Sequence, residues 1–179
     1  MFYVSEIKKT APAAYKTALQ KLVYQTLAEL CIPFERVETD EAITMEDCVQ
    51  IDAKLDMKMV KTLFLCNRQQ TNFYLFVTCG GKPFRSRDFS AALEIPRVSF
   101  APASLMEPLL GTRIGAATVY SALLDKSDRV RIVFDRDVLA EAWYGCSDGT
   151  TTGYMKVGTD LIVHKFLPFA KHEAKIIEA

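Results

Sequence analysis

The chain has 179 residues, half of them hydrophobic, which is enough to bury a sizeable core and most naturally makes one domain, residues 1–179. Its 22 basic and 22 acidic residues cancel, which argues against a polybasic arm that binds DNA or anionic lipid through bulk charge. The N-terminal segment lacks the apolar core of a signal peptide, and no later apolar run matches a membrane-spanning helix in length. We therefore expect a cytoplasmic protein that contacts neither DNA nor a membrane.

Hydrophobic periodicity and end signals predict a mixture of helices and strands. The predicted helices cover residues 13–30, 44–55, 86–93, 103–110 and 159–166, and residues 138–143 begin helical. The predicted strands cover residues 34–37, 58–66, 71–79, 97–100, 129–135 and 150–157. Thr44 is the expected N-cap of the second helix, and Pro168 is expected to end the last one. Because these elements do not alternate as regular βαβ units, we expect an α+β fold with a mixed, curved sheet or partial barrel flanked by helices.

Cysteine and histidine usage narrows the chemistry. The five cysteines are odd in number, scattered and form no CxxC pair, which fits reduced thiols better than a disulfide framework or a zinc site. Cys66 and Cys146 could act as nucleophiles, although neither has a histidine near it in sequence, and incidental thiols are the favoured interpretation. The two histidines, His164 and His172, both lie in the C-terminal segment. An enzyme with this sequence is therefore expected to work without a histidine general base.

The strands 58–66 and 71–79 are joined by the polar NRQQ, and this pattern predicts an antiparallel hairpin. A glycine pair and a basic cluster follow the hairpin. Gly80-Gly81 lacks the other glycines of a dinucleotide fingerprint and the GK[ST] ending of a Walker loop, so a turn is expected. Lys82, Arg85 and Arg87 form a basic cluster that either contacts RNA phosphates or is a solvated surface. The neutral net charge favours the second interpretation.

Lys61 stands out because it begins the apolar run KTLFL. Side chains alternate along a strand, so Lys61 shares a face with Leu63 and Leu65. Its ammonium then either extends to solvent at the start of the strand or faces a cavity beside the core. The residues alone leave these two interpretations about equal.

Three segments resemble a known family: VYQTLAELCIPFERVETDEAITMEDC, KTLFLCNRQQTNFYLFV and VRIVFDRDVLAEAWYGC. They are similar to the freestanding prolyl-tRNA editing proteins of the YbaK/ProX type, and the resemblance runs from about Val23 to Pro168. It implies hydrolysis of the ester between a wrong amino acid and tRNA, most often alanine on the proline tRNA, with Lys61 as the principal functional side chain. The implied partners are the acceptor end of mischarged tRNA and, in addition, prolyl-tRNA synthetase. The resemblance implies neither a cofactor nor a metal.

The resemblance also implies substrate-binding segments, in which this chain departs from the family pattern. The family loop GSVTPFGLxND falls on residues 115–125, where Gly115, Thr118 and Asp125 match while Val119, Ser121 and Leu124 differ. The family pattern HPxxNT falls on residues 147–152, where only the final threonine is kept. The expected substrate-binding residues are therefore Gly115, Ala116, Ala117, Thr118, Asp125, Ser147, Thr151 and Thr152.

These departures leave two alternatives to an alanine-specific deacylase. One is a non-catalytic homologue that binds tRNA or a synthetase after losing part of the editing site. The other is an activity toward serine or threonine esters, because hydroxyl side chains in a pocket can reward a substrate hydroxyl. If Lys61 is functional, it should face a pocket walled by residues 115–118 and 147–152, and Lys58 should be the more exposed of the two lysines.

Overall fold

The computed structural model describes residues 1–42 and 44–179. The α-helices are α1 (Ala18–Glu29), α2 (Val49–Leu55), α3 (Ser86–Leu93), α4 (Met106–Leu110), α5 (Arg136–Leu139), α6 (Thr159–Leu161) and α7 (Leu167–Phe169). The strands are β1 (Phe34–Glu38), β2 (Val60–Cys66), β3 (Phe73–Cys79), β4 (Ser99–Phe100), β5 (Val130–Asp135), β6 (Trp143–Ser147), β7 (Gly153–Gly158) and β8 (Lys175–Ile177). Short 3₁₀ turns cover Ala103–Leu105 and Val119–Leu123, and a π-helical turn covers Ile162–Phe166.

The strands form two sheets, which confirms the predicted α+β class, although neither sheet closes into a barrel. The smaller sheet has the order β1-β7-β6 and is antiparallel. The larger sheet has the order β4-β2-β3-β5-β8 and is mixed, because β3 and β5 pair in parallel while β2 and β3 form the predicted antiparallel hairpin. An isolated parallel bridge between Met59 and Gly145 joins the sheets next to the start of β2. The described residues include no helix with the length and apolar character needed to cross a bilayer.

The alternation of β2 determines which core each side chain enters. Phe64 and Cys66 enter the largest hydrophobic cluster, which also receives α1 and the C-terminal helical turns. Leu65 lies on the opposite face, in a second cluster that includes Phe89 of α3, and Leu63 packs against the edge of this second cluster. A third cluster lies under α2 and includes Met59. Lys61 therefore lies near the start of a strand that is apolar on both faces, so its ammonium has few polar partners nearby.

Two helices begin later than their periodicity predicts. Helix α1 begins at Ala18 rather than near residue 13, since Thr17 is extended and its side chain accepts the N–H of Gln20. Thr44 and Asp47 do exchange capping hydrogen bonds. They close a separate turn, however, and helix α2 begins only at Val49. The prediction of Thr44 as the cap of this helix is wrong by one turn.

The C-terminal third contains the main errors of the sequence prediction. The helix expected to begin at 138–143 is the short α5, and Trp143 already belongs to β6, a strand that the prediction omits together with β8. Pro168 does not end the last helix, because it lies in the first turn of α7 after the π-helical turn. The fixed φ of proline, near about −65°, suits a helical residue, so the chain stays helical through Pro168.

Candidate functional site

A cavity of about 420 Å³ lies beside the edge of β2, where the two sheets meet. Strand β4 covers this edge at Leu65 and Cys66 alone, so the first half of β2 is left open toward the cavity. The walls come from distant parts of the sequence. They include Ala42, Thr44, Met45, Cys48, Met59, Val60, Lys61, Thr62, Leu63, Phe64, Phe100, Ala101, Ala103, Met106, Ile114, Gly115, Ala117, Cys146, Ser147 and Tyr154.

Lys61 is the one charged side chain among the described residues that line this cavity. It is half-buried, and its ammonium donates a hydrogen bond to the carbonyl oxygen of Lys82 in the turn after β3. Burial lowers the pKa of Lys61 below its ordinary value. An ammonium has three donors, and hydrogen bonds with the described residues use one of them, so two N–H groups have no partner within the described part of the chain. Lys61 thus provides the cavity with positive charge and spare hydrogen-bonding capacity.

Lys58 differs from Lys61 in each of these respects. It is exposed, and its ammonium pairs with Glu141 at 2.7 Å. The Glu141 carboxylate raises the pKa of Lys58, the opposite direction to the shift at Lys61. Lys58 is absent from the cavity wall. The prediction that Lys58 is the more exposed lysine is confirmed.

The loop at residues 115–118 reaches the cavity through two of its four members. Gly115 and Ala117 line the wall, whereas Ala116 and Thr118 are buried behind it. Gly115 has φ of 87°, a left-handed conformation that favours glycine. The N–H groups of Gly115 and Ala117 make no hydrogen bond with any described residue. The Thr118 side chain is used locally, because it caps the 3₁₀ turn Val119–Leu123 by accepting the N–H of Tyr120.

Asp125 lies apart from the cavity wall, at the loop that leads into β5. Its carboxylate accepts the N–H groups of Arg129 and Val130 at 2.9 and 2.8 Å. Asp125 also groups with Asp128 and His172, whose ligand atoms all lie within 4.8 Å of one another, close enough to hold a metal ion. The ring of His172 is already engaged, with Nε2 3.0 Å from the Asp125 carbonyl oxygen and Nδ1 3.1 Å from Asp128. The contacts of Asp125 are those of a loop-ordering residue.

The segment 147–152 touches the cavity only through Ser147. The Ser147 hydroxyl donates to the carbonyl of Thr150 at 2.6 Å and accepts the N–H of Gly149 at 3.0 Å. Thr151 donates its hydroxyl to Glu41 at 3.0 Å, and Thr152 accepts from Lys16 at 2.6 Å. All three hydroxyls are therefore engaged by protein groups. Of the predicted site residues, the structure brings together Lys61, Gly115, Ala117 and Ser147, and it places the others outside the lining.

Asp148 organises this segment from the inside. It is 1% exposed and accepts from the Gln20 amide at 2.9 Å, the Tyr24 hydroxyl at 2.8 Å and the Thr150 hydroxyl at 2.7 Å. Burial, and secondarily the Asp148 charge, raise the pKa of Tyr24. Gly153 makes room for this carboxylate, since a Cβ there would stand 2.2 Å from Asp148 Oδ2. The segment is thus ordered by a buried polar network anchored on α1.

Several cavity residues were not predicted from the sequence. Met59, Cys48, Tyr154 and Phe100 all line the wall, and the alternation that singled out Lys61 also places Met59 on its face of the strand. For the other three, the sequence carries no local signal, because they come from the N-cap of α2, from β7 and from β4. Cys146 was considered as a nucleophile and does line the cavity, but burial raises its pKa well above the ordinary thiol value. A protonated thiol is a poor nucleophile.

The fold and the cavity together define a class: an α+β protein whose ligand cavity lies between two sheets and carries one lysine. Residues 39–162 match the model of the aminoacyl-tRNA editing domain, and the chain belongs to this family. A relative, the prolyl-tRNA editing protein ProX of Acetoanaerobium sticklandii, is 25% identical over 123 residues, which cover 69% of this chain and 75% of the relative.

Two solved structures share the fold at low sequence identity. The hypothetical protein APE2540 is 15% identical with a TM-score of 0.67, over 87% of this chain and 97% of the other. A proposed trans-editing enzyme for prolyl tRNA synthetase is 15% identical with a TM-score of 0.66, over 92% of this chain and 99% of the other. These matches agree with the expected resemblance to the YbaK/ProX family.

Proposed function

We propose that this protein is a trans-acting aminoacyl-tRNA deacylase, which hydrolyses the ester between a small, apolar, wrongly attached amino acid and tRNA. Alanine on the proline tRNA is the first candidate substrate. The observation that carries the proposal is the half-buried ammonium of Lys61 as the one charged group among the described residues lining the cavity. Membership of the editing-domain family and the similarity to a prolyl-tRNA editing protein support it.

The reaction needs little beyond positioning and charge stabilisation. Water adds to the ester carbonyl, negative charge develops on the carbonyl oxygen, and the bond from the carbonyl carbon to the ribose oxygen then breaks. The ribose oxygen takes a proton, and the amino acid leaves as a carboxylate. The Lys61 ammonium and the free N–H groups of Gly115 and Ala117 are the donors available to the developing negative charge.

The described lining includes no carboxylate and no imidazole. The ribose hydroxyl beside the ester can relay a proton in their place, because it accepts one from the attacking water as it gives its own to the departing ribose oxygen. The second proton of the water is released to solvent when the amino acid leaves as a carboxylate. A tRNA that ends in 2′-deoxyadenosine, charged at its 3′ position, should then be hydrolysed at least about 100-fold more slowly, the scale of a lost general base. An unchanged rate on this substrate would instead assign the proton to a protein group.

The walls favour an apolar acyl group over a hydroxylated one. Met59, Cys146 and Tyr154 are buried lining residues, and the Tyr154 hydroxyl is engaged, since it donates to the Ala42 carbonyl at 2.8 Å. The hydroxyls of Ser147, Thr151 and Thr152, which suggested serine or threonine esters, are bonded to protein groups. A substrate hydroxyl would therefore gain little from these three side chains, while the buried apolar wall would take it out of water. We expect alanine esters to be hydrolysed about tenfold or more faster than serine esters.

The test is release of labelled amino acid from the proline tRNA charged with alanine, serine or proline. Wild-type protein should release alanine, and Lys61→Ala should lower the rate by about 100- to 1000-fold, the usual cost of removing one donor to a developing oxyanion. Lys58→Ala is the matched control, because Lys58 is exposed and lies outside the cavity wall. Its rate should stay within about threefold of the wild-type rate, as for a surface ion pair.

Two outcomes would overturn the proposal. Equal loss of activity in both lysine variants would show that Lys61 has no special role. No release from any small mischarged amino acid, with retained tRNA binding or capture of prolyl-tRNA synthetase in a pull-down, would identify the non-catalytic binding homologue instead.

A further inference from the structure

An exposed aromatic and basic surface borders the mouth of the cavity. Phe100 on β4 lines the cavity, yet it is 62% exposed. The ring of Phe84 packs edge-on against it, with centroids 5.6 Å apart, and Phe84 in turn packs on the buried Phe89. The exposed ring of Phe100 is therefore held in place by a chain of aromatic contacts. A fixed, exposed aromatic ring offers a stacking surface for a planar ligand.

Three arginines lie within three residues of one of these two rings along the chain. Arg85 follows Phe84 in the chain, and Arg87 lies in the first turn of α3. Arg97, near the start of β4, donates from Nε to the Ser86 hydroxyl at 3.2 Å, which places it beside them. All three are exposed, and none forms an ion pair within the described residues. We call this surface the rim; it consists of Phe84, Arg85, Arg87, Arg97 and Phe100.

Lys82 shows by contrast that nearby basic residues are not all available. It belongs to the same cluster in the sequence, but its ammonium pairs with Asp135 at 2.7 Å and with Asp137 at 3.0 Å. Its charge is neutralised within the protein. The rim arginines keep theirs, so the rim is a local positive surface in a chain with no net charge. Guanidinium groups suit phosphate oxygens, which they bind with two parallel hydrogen bonds.

We propose that the rim binds the single-stranded 3′ end of the tRNA, with a base stacked on Phe100 and the backbone phosphates held by Arg85, Arg87 and Arg97. This inference rests on the proposed function, because it assumes that the terminal aminoacylated nucleotide occupies the cavity. The nucleotides that precede it must then leave through the mouth, where the rim lies. Alternating aromatic and cationic groups are the general means of binding single-stranded RNA without reading its sequence.

The test uses a 5′-labelled single-stranded RNA that ends in CCA and carries no amino acid. Fluorescence anisotropy measures its binding over a range of salt concentrations. Phe100→Ala should weaken binding about tenfold or more at every salt concentration, the effect of one lost base stack, while Phe100→Tyr should bind like wild type. Each of Arg85→Ala, Arg87→Ala and Arg97→Ala should lower the slope of log affinity against log salt by about 0.7.

Matched controls test whether any exposed aromatic or arginine would behave in the same way. Phe169 is also exposed, and Arg129 precedes β5 on the far side of β3; neither lines the cavity. Phe169→Ala and Arg129→Ala should leave the affinity and the salt slope unchanged. Rim variants that bind the RNA like wild type, or control variants that weaken it equally, would overturn the inference.

Because this RNA carries no amino acid, the binding result is independent of ester hydrolysis. If the wild type releases alanine but the rim variants bind RNA as the wild type does, the RNA-binding role of the rim is wrong and the proposed deacylase function is unaffected. If RNA binding depends on the rim but no ester is hydrolysed, the RNA-binding role of the rim is supported and the proposed deacylase function is wrong. Rim variants that lose a synthetase in a pull-down but keep RNA affinity would assign the surface to a protein partner and so overturn the RNA proposal.

Discussion

Two polar regions border the same cavity and use their hydrogen bonds in opposite ways. Among the described residues, Lys61 has one acceptor, the Lys82 carbonyl, which leaves two of its N–H groups without a partner there. In the segment 147–152, by contrast, the carboxylate of Asp148 and the hydroxyl of Ser147 are engaged by protein groups on every side. Polar groups with spare capacity can bind a ligand, whereas saturated ones maintain the structure. This difference supports the proposed role of Lys61 in the reaction and a structural role for the segment 147–152.

The largest expected effect is on stability, at Asp148. Asp148→Ala removes the acceptor of Gln20, Tyr24 and Thr150 in a buried site. Leaving such donors unsatisfied should lower the free energy of unfolding by roughly 3–5 kcal/mol. Urea denaturation measures this loss, and Asp148→Asn, which keeps one carbonyl oxygen, should recover part of it. A loss below about 1 kcal/mol would mean that the network contributes no more than an ordinary hydrogen bond.

Lys61→Ala should show the opposite signature. The fall in deacylation rate corresponds to about 3–4 kcal/mol of transition-state stabilisation. The free energy of unfolding, in contrast, should change by less than about 1 kcal/mol, because the side chain makes a single hydrogen bond with a carbonyl. Measuring rate and urea stability on the same preparations separates the two. If the variant loses activity only in proportion to its unfolded fraction, the contrast between the two regions is wrong.

Ser147→Ala tests whether the segment contributes anything but support, because Ser147 is its member on the cavity wall. The change removes one donor to the Thr150 carbonyl and one acceptor of the Gly149 N–H. We expect a loss of about 1–2 kcal/mol in the free energy of unfolding, with kcat and KM within about threefold of wild type. A rise in KM well beyond this, in a stable variant, would return Ser147 to the substrate-binding residues.

The smallest expected effect concerns the titration of Lys61. Burial lowers its pKa, whereas the Glu141 carboxylate raises that of Lys58. NMR of ¹³Cε-labelled lysines should therefore give Lys61 the lower midpoint of the two. Between the lowered pKa of Lys61 and the ordinary lysine value of about 10.4, the unfolded chain binds more protons at this site. The contribution of Lys61 to stability should thus rise with pH across that window. A Lys61 midpoint at or above that of Lys58 would contradict the burial argument.

The features that the sequence predicts well are local. The hairpin of β2 and β3 follows from two apolar runs and a polar turn, and the position of Lys61 follows from strand alternation. The network around Asp148 is not local, since this residue bonds to side chains 128 and 124 positions earlier in the chain. No residue near Asp148 in the sequence predicts that Gln20 and Tyr24 are its partners. For the same reason, the sequence could suggest Ser147 and Thr151 as ligand-binding groups without showing that their hydroxyls are already occupied.

Strand β6 and the rim show two further limits of pattern reading. The tetrapeptide Trp143-Tyr144-Gly145-Cys146 is too short to announce a strand beside a helical start, and its pairing with β7 decides the outcome. Phe100 was predicted within a strand, but its exposure beside the cavity mouth depends on Phe84 and on where β4 ends. At β6, tertiary pairing outweighs local preference. Phe100 does lie in the strand predicted for residues 97–100.

The bridge between Met59 and Gly145 has a consequence for selectivity. Within the described residues, it is the backbone pairing that joins the two sheets, whereas each sheet is internally held by continuous ladders. A single bridge opens at a lower free-energy cost than a ladder, so breathing motions should concentrate at this seam. The cavity lies along the seam, so we expect its width to follow the angle between the sheets. Amide hydrogen exchange at Gly145 should report that opening, and the proposed deacylase should discriminate less well against larger amino acids as the seam softens on warming.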